Sequence, residues 1–366
     1  MIDFIPQIEP WIDERELFYL KQVVESTYVT EHNLTKNFEN RIKDLTGSKH
    51  AIAYTNGTAA LYACLKAVGV GPGDEVIVPN MTFIATSNAV LMAGAAPVFC
   101  EISETTLCID PRNIIDLITN KTKAIIPVHL YGQSADMHVI MKIANENGLF
   151  IIEDAAQSIG VDFDNKHTGT YGDLGILSFY GNKTITCGEG GIILTNDDKL
   201  KDICYRLKNH GRDKKGVFVH DHIGFNFCFT EMQAAIGLAQ LDKLPAIIER
   251  KKEIYDIYHK KLADLSENLK PIMIDRRTKP VHWFTSFLTE EKNQLQRYLK
   301  NKNIQTRDFF YPLNMQPCYG NITKKAFPIS KKAYCEGISL PSSYNLRDEQ
   351  QEYIIDSIFE FYGKLR

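Results

Sequence analysis

Nothing in this chain is abundant enough in one charge to name a polymeric partner. Its 366 residues carry 42 Lys+Arg against 45 Asp+Glu, a formal charge of −3, so it lacks the basic footprint of nucleic-acid or anionic-membrane binding. No apolar run approaches the roughly 18 residues of a membrane-spanning helix. The start, Met1-Ile-Asp-Phe-Ile-Pro6, has no basic segment followed by an apolar one, so it does not read as a secretory signal. Eight cysteines, at 64, 100, 108, 187, 204, 228, 318 and 335, show neither a C-x-x-C pair nor regular spacing. His220-Asp-His222 has no third ligand at suitable spacing, so no metal is expected. These absences leave a reduced, cytoplasmic chain acting on a diffusible small molecule.

What is present is the composition of a globular α/β protein, 44% hydrophobic and 24% charged. Between Lys49 and about Asn196, short apolar runs alternate with helix-like segments, the pattern of a mainly parallel sheet with crossover helices. Seven strands are predicted: Ala51–Tyr54, Glu75–Val78, Ala96–Cys100, Ala124–His129, Leu149–Glu153, Gly175–Phe179 and Gly191–Thr195. Helices are expected at Ala59–Val68, Thr86–Ala93, Asp110–Leu117 and Asp136–Asn147. A further helical stretch, Glu231 to about Leu262, is expected to kink or break at Pro245. We place a large domain at residues 1–245 and a smaller C-terminal α/β domain, reading strand, helix, strand, helix, at 246–366. Gly69-Val-Gly-Pro-Gly73 follows a helix and precedes a strand, the reverse of the dinucleotide-binding order, and reads as a helix-ending turn.

Several residues should emerge at the carboxyl edge of that sheet. Gly57 and Thr58, in Thr55-Asn-Gly-Thr58, lie between a strand and the helix that opens at Ala59, where free backbone N–H groups suit a phosphate; a tight turn capped by Thr58 is the alternative. Phe83 follows the next strand and could stack on a flat heteroaromatic ring or belong to the core. Asp154 ends the run Leu149-Phe-Ile-Ile-Glu-Asp154; a carboxylate there could pair with a pyridine nitrogen or cap a helix, and Gln157 lies one turn on. Ser178 ends another strand, five residues before Lys183. A lysine amine for an aldehyde and an anion for a ring nitrogen are the two groups that pyridoxal phosphate chemistry requires.

The order and spacing of these segments resemble the DegT/DnrJ/EryC1/StrS family of sugar-nucleotide aminotransferases. The resemblance rests on Thr55-Asn-Gly-Thr58, Gly73-Asp-Glu-Val76, Val128-His-Leu-Tyr-Gly132 with Asp136, Glu153-Asp-Ala-Ala156, Ser178…Lys183…Gly188-Glu-Gly-Gly191 and Gly224-Phe-Asn226…Ala234-Ala-Ile-Gly237, covering roughly Gly47 to Leu241. It implies the type I, aspartate aminotransferase-like fold and a homodimer with shared active sites. It also implies pyridoxal 5′-phosphate, with the pyridoxamine form as intermediate. By this resemblance Lys183 bonds the cofactor aldehyde, Asp154 faces the ring nitrogen and Gln157 the ring hydroxyl. Gly57, Thr58 and Ser178 bind the phosphate, Phe83 stacks on the ring, and Asn226 reaches the neighbouring subunit's phosphate.

Phe179-Tyr-Gly-Asn-Lys-Thr-Ile-Thr186, Arg307…Phe310-Tyr-Pro312 and Gly337-Ile-Ser-Leu-Pro341 resemble members that transfer the amine of L-glutamate to a GDP-linked 4-keto-6-deoxy sugar for surface polysaccharide, with Arg307, Tyr311 and Asn314 as substrate residues. Three positions depart from the pattern: Cys228 replaces a usual arginine, Pro312-Leu-Asn314 replaces Pro-x-His, and Thr30-Glu-His-Asn33 lacks a usual glycine. The first two bear on the choice of nucleotide and sugar. Relatives that dehydrate sugars carry histidine where this chain has Lys183, so the lysine favours transfer over dehydration. A sensor that merely retains the fold is a third reading.

Overall fold

A computed structural model describes residues 3–213, 216, 218–320 and 322–364. All seven predicted strands are present and share one sheet: β1 (His50–Tyr54), β2 (Glu75–Pro79), β3 (Ala96–Cys100), β4 (Thr122–Ile125), β5 (Phe150–Asp154), β6 (Leu174–Ser178) and β7 (Gly191–Thr195), in the order β1-β7-β6-β5-β4-β2-β3. The pairs β2–β3, β2–β4, β4–β5 and β5–β6 are parallel. β7 is antiparallel to both β1 and β6, so β1 runs with the others. The carboxyl ends of β1, β5 and β6 therefore meet at one edge, and Gly191 pairs there with both Tyr54 and Ser178.

The strands are apolar on both faces because helices cover both. On one side, Ile52, Val76, Val78, Ile152 and Ile176 pack with α3 (Gly57–Ala67), whose Ala59, Ala60 and Ala63 let it lie close to the sheet. On the other, Ile77, Ile125 and Ile151 meet α5 (Met137–Asn147), while Ala53, Leu177 and Ile192 meet α2 (Asn33–Thr46) and the first half of α7 (Glu231–Lys261). α4 (Ala85–Met92) follows β2.

Three expectations are corrected. The segment expected as a helix at Asp110–Leu117 is two 3₁₀ turns, Pro111–Asn113 and Ile115–Leu117, closed by bonds from Ile114 N–H to Pro111 and from Leu117 N–H to Ile114. Asp110 accepts from the Arg112 N–H and grips its guanidinium, which fixes the tighter winding from its first residue. β4 stops at Ile125 rather than reaching His129, because Pro127 has no N–H for the ladder. Pro245 does not break its helix: α7 runs 31 residues without interruption. The roughly 3 kcal/mol that an internal proline costs is outweighed by burial on both sides of it, Leu241, Leu244 and Ile247 in one core and Ile254 and Tyr258 in another.

That second core lies on a four-stranded antiparallel sheet with strands 270–271, 285–288, 337–340 and 307–308 in spatial order. α8 (Lys292–Asn301) and α10 (Asp348–Phe361) contribute Leu295, Leu299, Ile354 and Ile358 to it. Ile5 also enters this core, bridging to Ile304.

Candidate active site

The sheet edge where β1, β5 and β6 end collects most of the residues singled out from the sequence. The first turn of α3 is capped by Asn56, not by Thr58: the Asn56 side chain accepts from the Ala59 N–H at 2.9 Å, and its carbonyl accepts from Ala60. This leaves the N–H groups of Gly57 and Thr58 as the helix's open donors. Across from them stands Ser178, close enough that a Cβ built on Gly57 would lie 3.3 Å from its Cβ and 3.4 Å from its Oγ. Open N–H groups, a helix N-terminus and a hydroxyl form an anion cradle. We expect Gly57→Ala to crowd Ser178 at a cost of about 1–2 kcal/mol, weakening cofactor affinity roughly tenfold; equilibrium dialysis of pyridoxal phosphate measures it.

Asp154 is buried at the end of β5. One carboxylate oxygen accepts from Thr86 Oγ1 at 2.7 Å and the other from the Ala156 N–H at 3.2 Å. Gln157 is buried one turn on; its Oε1 accepts the Tyr131 N–H at 2.9 Å, which directs its amide nitrogen elsewhere as a donor. Tyr131 holds a left-handed backbone (φ 54°), its hydroxyl accepts from the Phe310 N–H, and its ring stacks on Phe310 at 5.5 Å. Phe83 is 56% exposed and tilts toward Phe310, 6.1 Å between centroids. Thr86, one turn after Phe83, links that residue's main chain to the Asp154 carboxylate, its N–H donating to the Phe83 carbonyl and its hydroxyl to Asp154.

Lys183 lies in the loop after β6, its N–H bonded to the Tyr180 carbonyl. Burial lowers its pKa to about 8 against the opposing pull of the Asp154 carboxylate, with Arg307 lowering it further. An amine that loses its proton near neutral pH is a usable nucleophile. Beneath this edge, Glu153 is fully buried. Burial alone would raise its pKa, but the bond from His129 at 2.9 Å and the N–H groups of Gly172 and Gly169 hold it below the ordinary carboxylate value. This network fastens the strand end that presents Asp154.

The remaining residues lie further out. Arg307 is exposed on strand 307–308, its guanidinium 5.4 Å from the Phe284 ring, and its charge reaches both Lys183 and Tyr131. Tyr311 stands edge-on to Tyr334 at 4.9 Å. Asn314 is clasped to the buried Asn80 by two 2.9 Å hydrogen bonds, N–H to Oδ1 and Oδ1 from Nδ2. Asn226 is exposed and accepts from the Cys228 N–H, while the Cys228 thiol donates to the Lys208 carbonyl at 3.4 Å. The loop Thr30–Asn33 is held by Glu231, whose carboxylate accepts from the N–H groups of His32, Leu34 and Thr35 and so caps α2.

The donor set fits pyridoxal phosphate: an amine with lowered pKa, an anchored carboxylate, an amide donor, an anion cradle and an aromatic face at one sheet edge. The sequence alone did not single out Thr86, Tyr131 or Trp283 as site residues. Thr86 had a signal in its helical spacing from Phe83. Trp283 had none.

The comparisons agree with this geometry. Residues 10–359 match the DegT/DnrJ/EryC1/StrS aminotransferase family. The chain is 40% identical to a protein of Escherichia coli O157:H7 named GDP-perosamine synthase, over 98% of this chain and 99% of that one. Among solved structures it is similar to S. venezuelae DesV in complex with a ketimine intermediate (29% identity, TM-score 0.94, 100% of both chains). It is likewise similar to the pyridoxal phosphate form of the putative sugar aminotransferase Spr1654 of Streptococcus pneumoniae (26% identity, TM-score 0.93, covering 98% of this chain and 99% of that one). With the sheet, the edge and the donor set in agreement, the chain belongs to the DegT/DnrJ/EryC1/StrS family and is a pyridoxal phosphate-dependent aminotransferase of type I fold.

Proposed function

We propose that this enzyme transfers the amino group of L-glutamate to C4 of a GDP-linked 4-keto-6-deoxy sugar, as a GDP-perosamine synthase, in the cytoplasm and for surface polysaccharide. The observation that carries the reading is Lys183, an amine of lowered pKa beside the anchored Asp154, in a chain 40% identical over nearly its whole length to a GDP-perosamine synthase.

In this reading pyridoxal phosphate supplies the electron sink that lets the Cα–H bond of the amino acid break. Lys183 would hold the cofactor at rest, and its Nζ, once free, would take the proton from glutamate Cα and carry it as the general acid–base group. Asp154 keeps the ring nitrogen protonated, and the bonds from Thr86 and Ala156 keep that carboxylate aimed. Gln157 donates to the ring hydroxyl, Phe83 covers the ring, and Gly57, Thr58 and Ser178 hold the phosphate. Arg307, Tyr311 and Asn314 face the sugar nucleotide, Asn314 through its pairing with Asn80. Lys183 would serve as the same acid–base group when the ketone of the sugar is aminated.

We also propose a homodimer. Asn226 is exposed, and Phe218 (82%), Ile223 (85%) and Phe225 (38%) expose large apolar surface on the same segment; a second copy would cover them and receive Asn226 at its phosphate. We place the division between large and small domains at 245–246; α7 passes from one core to the other shortly after it, between Ile248 and Ile254.

A panel of GDP-, UDP- and dTDP-linked 4-keto and 3-keto sugars tests the substrate. Mass and amine position should show an amine gained at C4 of the GDP sugar with all hydroxyls retained. A product that has lost a hydroxyl would indicate dehydration, and amination of only a UDP- or dTDP-linked sugar would replace the nucleotide assigned.

A further inference from the structure

Trp283 lies 101 residues from Asn182 in sequence, yet its indole N–H donates to the Asn182 carbonyl at 2.7 Å, directly before Lys183. Its ring centroid is 4.4 Å from Lys183 Nζ. The indole is 2% exposed and stacks on Phe284 at 3.9 Å. Its own carbonyl is held by Lys251, a buried lysine of α7 whose Nζ donates to Trp283 O at 3.1 Å and to Ser342 O at 2.9 Å. One side chain thus grips the lysine's loop by the main chain and the lysine's amine by a π face, and is itself pinned from behind.

We propose that Trp283 is a positioning residue that holds the free Nζ of Lys183 in place and favours its protonated form between proton transfers. This rests on the reading of Lys183 as the reacting amine. That amine must leave the cofactor, carry a proton and return, so while free it needs a fixed resting place that does not neutralise it. A carboxylate contact would bind the ammonium too strongly to release its proton. An indole face attracts a cation by about 0.5–2 kcal/mol, enough to set the balance and weak enough to be left at each turnover. The charged groups acting on Nζ are Asp154 from β5, which favours the ammonium, and Arg307 from strand 307–308, which opposes it. Trp283 adds to the side of Asp154 without adding charge.

The chain has two tryptophans, so a Trp11→Phe background leaves Trp283 as the sole position for biosynthetic mono-, di- and trifluorotryptophan. Fluorine drains the ring's negative face while keeping its shape and its N–H, so folding is not at issue. The full-length protein, loaded with pyridoxamine phosphate so that Nζ is free, is acylated with acetic anhydride across pH, and the Lys183 peptide is quantified by mass spectrometry. The midpoint should fall stepwise with fluorination, in total by about half a pH unit or more. A midpoint that stays flat across the series overturns the proposal. Lys183→Ala separates the two readings: full transamination without the lysine would remove the premise, whereas a flat series with an inactive Lys183→Ala variant would remove only the role of Trp283.

Discussion

Lys183→Ala is expected to abolish both half-reactions, amine uptake from glutamate and delivery to the sugar, with a loss on the order of 10⁴-fold or more. In the proposed reading two functions leave together, the covalent hold on the cofactor and the amine that moves the proton. The environment of that amine explains why no neighbour replaces it. Its pKa is drawn down to about 8 by burial and opposed by Asp154, a balance that an exposed lysine would not meet. The purified parent should be yellow, with a visible band that moves on addition of glutamate. The variant should lose that band or hold it without response, and stopped-flow spectra report it directly. A colourless variant with parental turnover would end the assignment.

The second large effect is expected at Asp154→Asn, which keeps shape and removes charge. Breaking a buried ion pair by neutralising one partner costs about 3–5 kcal/mol, roughly 10² to 10⁴-fold in rate. The loss should fall on kcat for both half-reactions, since the ring nitrogen is common to both. Thr86→Val is the graded companion. It removes the 2.7 Å bond to the carboxylate while sparing the charge, at about 1.5–3 kcal/mol. Single-turnover rates that stay parental in Asp154→Asn would show that the carboxylate caps the segment after β5 and does no more.

The seven-stranded sheet was legible because each strand is an apolar run bounded by turn residues, and β5 and β6 end on the polar residues that mark the site, Asp154 and Ser178. Patterning gave less where local chemistry competed with it. Asp110 and Arg112 wind their segment into 3₁₀ turns that a periodicity reading rounds up to a helix. Pro245 is a breaker only in a helix with nothing to hold it straight, and what holds α7 is supplied by residues on two different cores. The site shows the same division. Asp154 and Ser178 end strands and Lys183 follows one, so position alone makes them candidates, whereas Trp283 arrives from across the chain and Thr86 acts through an acceptor 68 residues away. Contacts of that kind exist only after folding.

The bridge from Ile5 to Ile304 bears on how the protein is made. Gln7 and Gln305, joined by a hydrogen bond beside that bridge, are 298 residues apart. At a synthesis rate of roughly 5–20 residues per second, the amino-terminal segment waits roughly 15 to 60 seconds on the ribosome before the surface that receives it exists. The second core therefore closes only after α10, which supplies Ile354 and Ile358 to it, has been synthesised, whichever part folds first. During that interval Ile5 is an apolar residue without its bridge partner, open to capture by chaperones or by other copies still in synthesis.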